Sequence, residues 1–180
     1  MVITRQQALD LLYSKMQSVN LRRHCLSVEA AMKALNNDTE IAGIVGLLHD
    51  GDYEQTKEDI ANHSILMAKW LREIGETDEV FLHGIESHGA SNPTTIMEWS
   101  LFCCDELTGL IVATALVQPT KKLADVTVEK VLDKFKSKNF AAGVKREDII
   151  KCEEKLNIKL DKFIEIVLKG MQSIATEIGL

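Results

Sequence analysis

The sequence predicts an all-α fold, on three observations. Helix-forming residues dominate the 180-residue chain, proline occurs only at Pro93 and Pro119, and alternating runs of β-branched residues are absent. Apolar residues make up 46% of the chain, enough for a continuous core in one domain of this size.

Each helix has its own signal. Thr4 opens a first helix to about Gln17, with Ala8, Leu11, Leu12 and Met16 on one face. Asn20 is a suitable N-cap for a second helix to Leu35, closed by Asn36-Asn37. A third helix runs from about Asp38 through Leu48 and stops near His49-Asp50-Gly51, where glycine breaks it. A fourth is expected over Glu58 to Ile74. Thr77 caps a fifth through Ser87, before the loop Gly89 to Pro93. A long sixth helix continues to Val117 and halts at Pro119. The tail from Val126 to Leu180 reads as three further helices, with a break at Lys138 to Gly143. No repeat or inter-domain linker interrupts the chain, so residues 1–180 read as one domain, with a core over 18–118 and a helical extension over 119–180.

The formal charge of −6 argues against a standing nucleic-acid partner, since such proteins carry a basic stripe. Cys25, Cys103, Cys104 and Cys152 form no CxxC pair and read as reduced thiols in a cytoplasmic protein. The longest uncharged run, Leu107 to Thr120, is 14 residues against the roughly 20 that span a bilayer, so no membrane is expected as partner.

The polar residues that fall on apolar faces carry the functional signal. His24 lies within the stripe Leu21, Val28, Ala31 and Leu35, and steps of four lead from Ile41 and Val45 to His49. His63 lies within a stripe of Ile60, Met67, Trp70 and Ile74. His88 follows Phe81 and Ile85, and Asp105 falls between Leu101 and Val112. His83 is the internal control: it shares a face with Glu76, Glu79 and Glu86 and should face solvent. One inward histidine is ordinarily a hydrogen-bonded core residue. Four of them with Asp50 and Asp105, unpaired, would cost several kcal/mol each. A cation that gathers neutral imidazoles and ionised carboxylates at one point removes that cost.

The ordered set His24, His49-Asp50 and Asp105 resembles the HD superfamily of helical metal-dependent phosphohydrolases. Arg22 to Glu29 looks like that family's first metal-binding helix, Gly46-Leu-Leu-His-Asp50 like its HD core, and Leu101-Phe-Cys-Cys-Asp105 like its last ligand helix. Pro119 to Leu123 and Phe140 to Arg146 resemble a subgroup of short bacterial and archaeal HD proteins. His-Asp-Gly-Asp stands here where the family often has His-Asp-Ile-Gly. The resemblance implies that His24, His49, Asp50 and Asp105 hold one metal. His63 and His88 fall where some branches bind a second, an arrangement similar to the branch that hydrolyses dinucleoside polyphosphates with two irons.

With that resemblance, Asp50 is the natural bridging ligand and the central catalytic residue, and the expected partner is a nucleotide or other small phosphorylated compound. One or two divalent ions are implied, and nitrogen and oxygen donors suit Fe, Mn, Co, Ni or Zn alike. Arg22, Arg23, Lys121 and Lys122 are candidate phosphate contacts, with a solvated surface charge as the alternative for each. Arg146 is a candidate partner for Glu147 or Asp148 at a helix start. Asp52 and Glu54 read either as groups that orient a ligand or as plain turn residues. A di-iron oxygenase of the HD type and a non-catalytic metal- or nucleotide-binding helical module are the alternative functions.

Overall fold

The computed structural model describes residues 3–37, 39–90 and 92–180, and among them there are helices and turns but no strand. Helix α1 (Arg5–Lys15) starts at Thr4, whose hydroxyl accepts the Gln7 N–H while the Gln7 side chain accepts the Thr4 N–H. Such a reciprocal cap contributes about 1 kcal/mol. The α1 face places Ala8, Leu12 and Met16 in the core, each fully buried. Full burial of side chains the size of Leu12 or Met16 contributes roughly 1.5–3 kcal/mol each.

Helix α2 (Val19–Leu35) is capped by Ser18 rather than by Asn20. The register is set by Glu54, whose two carboxylate oxygens accept the Gln17 and Ser18 N–H groups at 2.8 Å each. Glu54 thus holds the α1–α2 corner. Helix α3 (Glu40–Leu48) is buried from Ala42 to Leu48 and crosses α2 closely. Gly46 permits that crossing, because a Cβ there would stand 2.8 Å from the Val28 carbonyl oxygen. Asp38, the expected start of this helix, lies outside the described residues.

The expected helix over 58–74 is a correction. The chain forms a short helix α4 (Tyr53–Thr56), a 3-10 turn over Ile60–Asn62, and then α5 (Ile65–Glu73). Ser64 separates the last two with a left-handed φ of 66°. Ile60 and Ile74, placed on an inward stripe by spacing, are 57% and 58% exposed. Met67 of that stripe is fully buried and Trp70 packs against the core, while Ala68 and Leu71 complete the inward face of α5. The physical cause is Asp52, buried and taken up at the start of α5 by the Met67 N–H, which a continuous helix would use internally.

Helix α6 (Glu79–Ala90) is capped by the Asp78 carboxylate rather than by Thr77, and it runs past Ser87 to include His88 and Gly89. The expected loop therefore begins later, and Ser91 within it lies outside the described residues. Helix α7 (Ile96–Leu116) has a full Thr95–Glu98 capping box. Among the described residues it is the one helix long and apolar enough to cross a membrane, but it carries Asp105 at mid-length and packs against α2 and α6.

Beyond Pro119 a 3-10 turn over Leu123–Asp125 is followed by five α-helical pieces instead of three: α8 (Val128–Lys136), α9 (Arg146–Ile149), α10 (Lys151–Lys155), α11 (Leu160–Ser173) and α12 (Ala175–Ile178). The expected break falls between α8 and α9. Arg146 organises it, donating to the carbonyls of Ala141 (2.8 Å), Val144 (2.9 Å), Ser137 (3.3 Å) and Phe140. That role replaces the expected pairing with Glu147 or Asp148. Helix α11 buries Phe163, Ile164, Val167 and Met171 against α2 and α7, so the extension packs on the core. All four cysteines are buried and free.

Candidate metal centre

Five segments deliver six donor side chains to one place. His24 comes from α2, His49 and Asp50 from the turn after α3, His63 from the residue before Ser64, His88 from the last turn of α6, and Asp105 from the middle of α7. His24 Nε2 lies 2.9 Å from Asp105 Oδ1 and 3.3 Å from His49 Nε2. His49 Nε2 lies 3.5 Å from Asp105 Oδ1, and both imidazole nitrogens lie 3.6 Å from Asp50 Oδ2. Two ligands each about 2.1 Å from a shared ion, at tetrahedral or octahedral angles, stand about 3.0–3.4 Å apart. The observed edges cluster around that range.

Asp50 uses its second oxygen elsewhere. Oδ1 lies 3.1 Å from His63 Nε2 and 3.1 Å from His88 Nε2. One carboxylate therefore faces His24 and His49 with one oxygen and His63 and His88 with the other.

The outer ring nitrogens fix the inner ones. His49 Nδ1 donates to the Gly46 carbonyl at 2.8 Å, leaving a lone pair on Nε2 when the ring is neutral. His63 Nδ1 donates to Asp52 Oδ1 at 2.9 Å, with the Thr56 hydroxyl oxygen 3.2 Å away. A neutral His63 would then set its Nε2 lone pair against a carboxylate oxygen. Either a proton or a metal ion has to stand between them. The same carboxylate–imidazole–ion chain raises the basicity of metal-binding histidines elsewhere.

The electrostatics agree. In the metal-free protein burial opposes charge on His63, but Asp50 and Asp52 outweigh it and raise its pKa to about 9. Burial likewise opposes charge on His24 and His49, and their carboxylate neighbours still raise both. Burial also works against ionising Asp50 and Asp105, yet the facing imidazoles hold both well below the usual carboxylate range. Asp50 and Asp105 are thus held ionised, with protons favoured on His24, His49 and His63, and the same groups could hold a metal ion.

The helical stripe was right for His24 and Asp105 but not for His63. That residue sits in a 3-10 cap held by Asp52, not on a helix face. Gly89 makes room for it: a Cβ at Gly89 would fall 2.1 Å from the His63 carbonyl oxygen. His83 is outside the centre as expected, with its side chain 53% exposed and Nδ1 2.8 Å from Glu98 Oε1. Of its expected acidic neighbours, Glu76 is instead buried and accepts the Ile3 N–H.

The candidate phosphate contacts separate. Arg22 is engaged at the α1–α2 corner, donating to the carbonyls of Met16 (2.7 Å) and Tyr13 (3.1 Å). Lys121 and Lys122 follow the end of α7, which lies roughly 16 Å along the helix axis from Asp105 at 1.5 Å per residue. Neither is among the residues that line the cavity at His24. Arg23 is, and the cavity measures about 400 Å³. Of the six donors His24 alone lines that cavity, and its side chain is the most exposed at 26%, against 20% at Asp105, 17% at His88, 9% at His63 and none at His49.

Asp52 is the contributor that sequence reasoning left unresolved. Only its position two residues after Asp50 hinted at it, since its partner His63 is eleven residues away. If His63 and His88 bind an ion, replacing Asp52 by Asn should lower its affinity by roughly 10–100-fold, read by metal titration. Equal affinity in the variant would mean that Asp52 serves only the start of α5.

Compared with protein families, with curated proteins and with solved structures, the chain finds no match.

Proposed function

We propose that the chain is a metal-dependent phosphohydrolase of the HD type that acts on a small phosphorylated compound. The observation that supports it most is Asp50, whose two oxygens address separate histidine sets at 3.1 and 3.6 Å. Such a carboxylate gives one ligand atom to each of two ions. His24, His49 and Asp105 complete the first set, and His63 and His88 belong to the second. The all-nitrogen-and-oxygen donors fit Fe, Mn, Co, Ni or Zn. When bound, divalent ions there lower the pKa of water toward neutrality and neutralise phosphate oxygens.

The protein's own groups hold that chemistry in place. Gly46 and Asp52 fix the His49 and His63 rings, so the donors need little reorganisation to bind an ion. Arg23, in the cavity at His24, supplies a guanidinium for a phosphate oxygen. The formal charge of −6 and one arginine in that cavity suit a small anion better than a polyanion. Four buried reduced thiols fit a cytoplasmic setting.

Hydrolysis changes no oxidation state. Phosphate release from metal-replete protein should therefore persist without oxygen, be supported by Mn or Zn, and stop with a chelator. Strict dependence on iron and oxygen would make the protein an oxygenase with the same donors. Metal binding without turnover of any phosphorylated compound would make it a binding module. Within this reading, His83→Ala should keep metal content and activity within about twofold of wild type, as exposed substitutions usually do. His88→Ala should lose an ion or most of the rate. Equal sensitivity of the two would contradict the site.

A further inference from the structure

We infer that the cavity beside His24 binds the leaving group of the substrate, and that it selects a phosphate monoester of a largely apolar alcohol over a nucleotide. The inference rests on the hydrolase reading and adds the substrate class. Three features of the cavity carry it. It abuts the centre at His24, the most exposed of the six donors. Its wall toward α2 carries a single charged side chain, Arg23, enough for one phosphate group. Its far wall is aliphatic, formed by Val112 and Leu116 of α7 and Ile178 of α12.

A nucleotide fits these walls poorly. Among the lining residues none is aromatic, apart from His24 itself, so no platform stacks a base. Asn20 and Ser27 are the neutral polar side chains, and the Ser27 hydroxyl is already donated to the Arg23 carbonyl at 2.8 Å. The hydrogen-bonding edge of a base would meet aliphatic carbon and lose its water without replacement. A polyphosphate would bring several charges to one guanidinium. An alkyl chain instead gains from every methylene it buries.

Gly109 makes the space. It stands one helical turn beyond Asp105 on α7 and lines the cavity, and a Cβ there would meet only Val144 Cγ2, at 3.9 Å. A side chain can therefore be added without displacing the backbone, and helix propensity favours the change. Because Gly109 itself lines the cavity, a bulky side chain there is expected to narrow it.

The test uses the full-length, metal-replete protein and the Gly109→Leu variant with a series of n-alkyl phosphates from ethyl to octyl, and with adenosine 5′-monophosphate. For wild type, kcat/KM should rise by up to about fourfold per buried methylene until the cavity is full, and should exceed that for the nucleotide. Gly109→Leu should keep its metal content and melting temperature and lose the gain with chain length. A tenfold preference for the nucleotide, or an unchanged chain-length gain in Gly109→Leu, would overturn the inference and leave the hydrolase reading intact. If neither compound class, nor any other phosphate ester, is turned over by protein carrying its metal, the hydrolase reading itself fails.

Discussion

Asp50→Ala should lose both ions and all phosphate release above the uncatalysed background. The expectation follows from geometry, because Asp50 approaches both histidine sets within 3.6 Å, whereas Asp105 reaches the second only at His88 Nδ1, 4.0 Å from its Oδ2. On the proposed two-ion reading, its removal would take one ligand atom from each ion and the negative charge between them. Asp50→Asn is the more demanding variant. It preserves size and one oxygen but not the charge, and the same loss should follow. Fold integrity is read separately by helical circular dichroism, since the core residues around the centre are untouched. Full metal occupancy and activity in either variant would contradict the bridging role.

Affinity at the His63–His88 side should depend strongly on pH. The metal-free protein holds a proton on His63 up to about pH 9, and an ion has to displace it. Below that pH, apparent affinity should rise about tenfold per pH unit for the one proton released, or about 100-fold between pH 6 and pH 8. The linkage to folding runs in the opposite direction. A raised His63 pKa stabilises the metal-free fold fully below about 6.5, and that contribution is lost as pH rises through about 9. Metal-free protein should therefore lose stability across the window in which metal binding strengthens. Isothermal titration and thermal melts at matched pH values would show both trends. A pH-independent affinity would mean that His63 Nε2 is not a ligand.

Much of this arrangement was legible in the sequence, for identifiable reasons. Helices α1, α2 and α7 follow strong local signals, namely the Thr4 capping box, the Asn36-Asn37 stop and Pro119. His24 and Asp105 sit on long regular helices, where steps of three and four hold over several turns and predict the buried face. His83 and His88 separate for the same reason on α6. His63 was placed by a stripe that the structure keeps only at Met67 and Trp70. Ile60 and Ile74 lie in solvent, and the residue reaches the centre because a buried carboxylate, Asp52, ends one turn and starts α5. That interaction joins residues 11 and 15 positions apart and has no periodic signature. Arg146 was misread similarly: its acceptors are backbone carbonyls, which any sequence supplies. The cations nearest His24 in sequence, Arg22 and Arg23, could not be told apart by spacing. Only the fold shows that the first holds a helix corner and the second faces the cavity.

The central claim is two ions bridged by one aspartate, and anomalous diffraction from metal-replete crystals tests it most directly. Two peaks about 3.5–4 Å apart, the usual spacing of hydrolytic pairs, are expected on either side of the Asp50 carboxylate. His24, His49 and Asp105 should ligate one, and His63 and His88 the other. A single peak, with His63 and His88 too far from it to bind, would contradict the account.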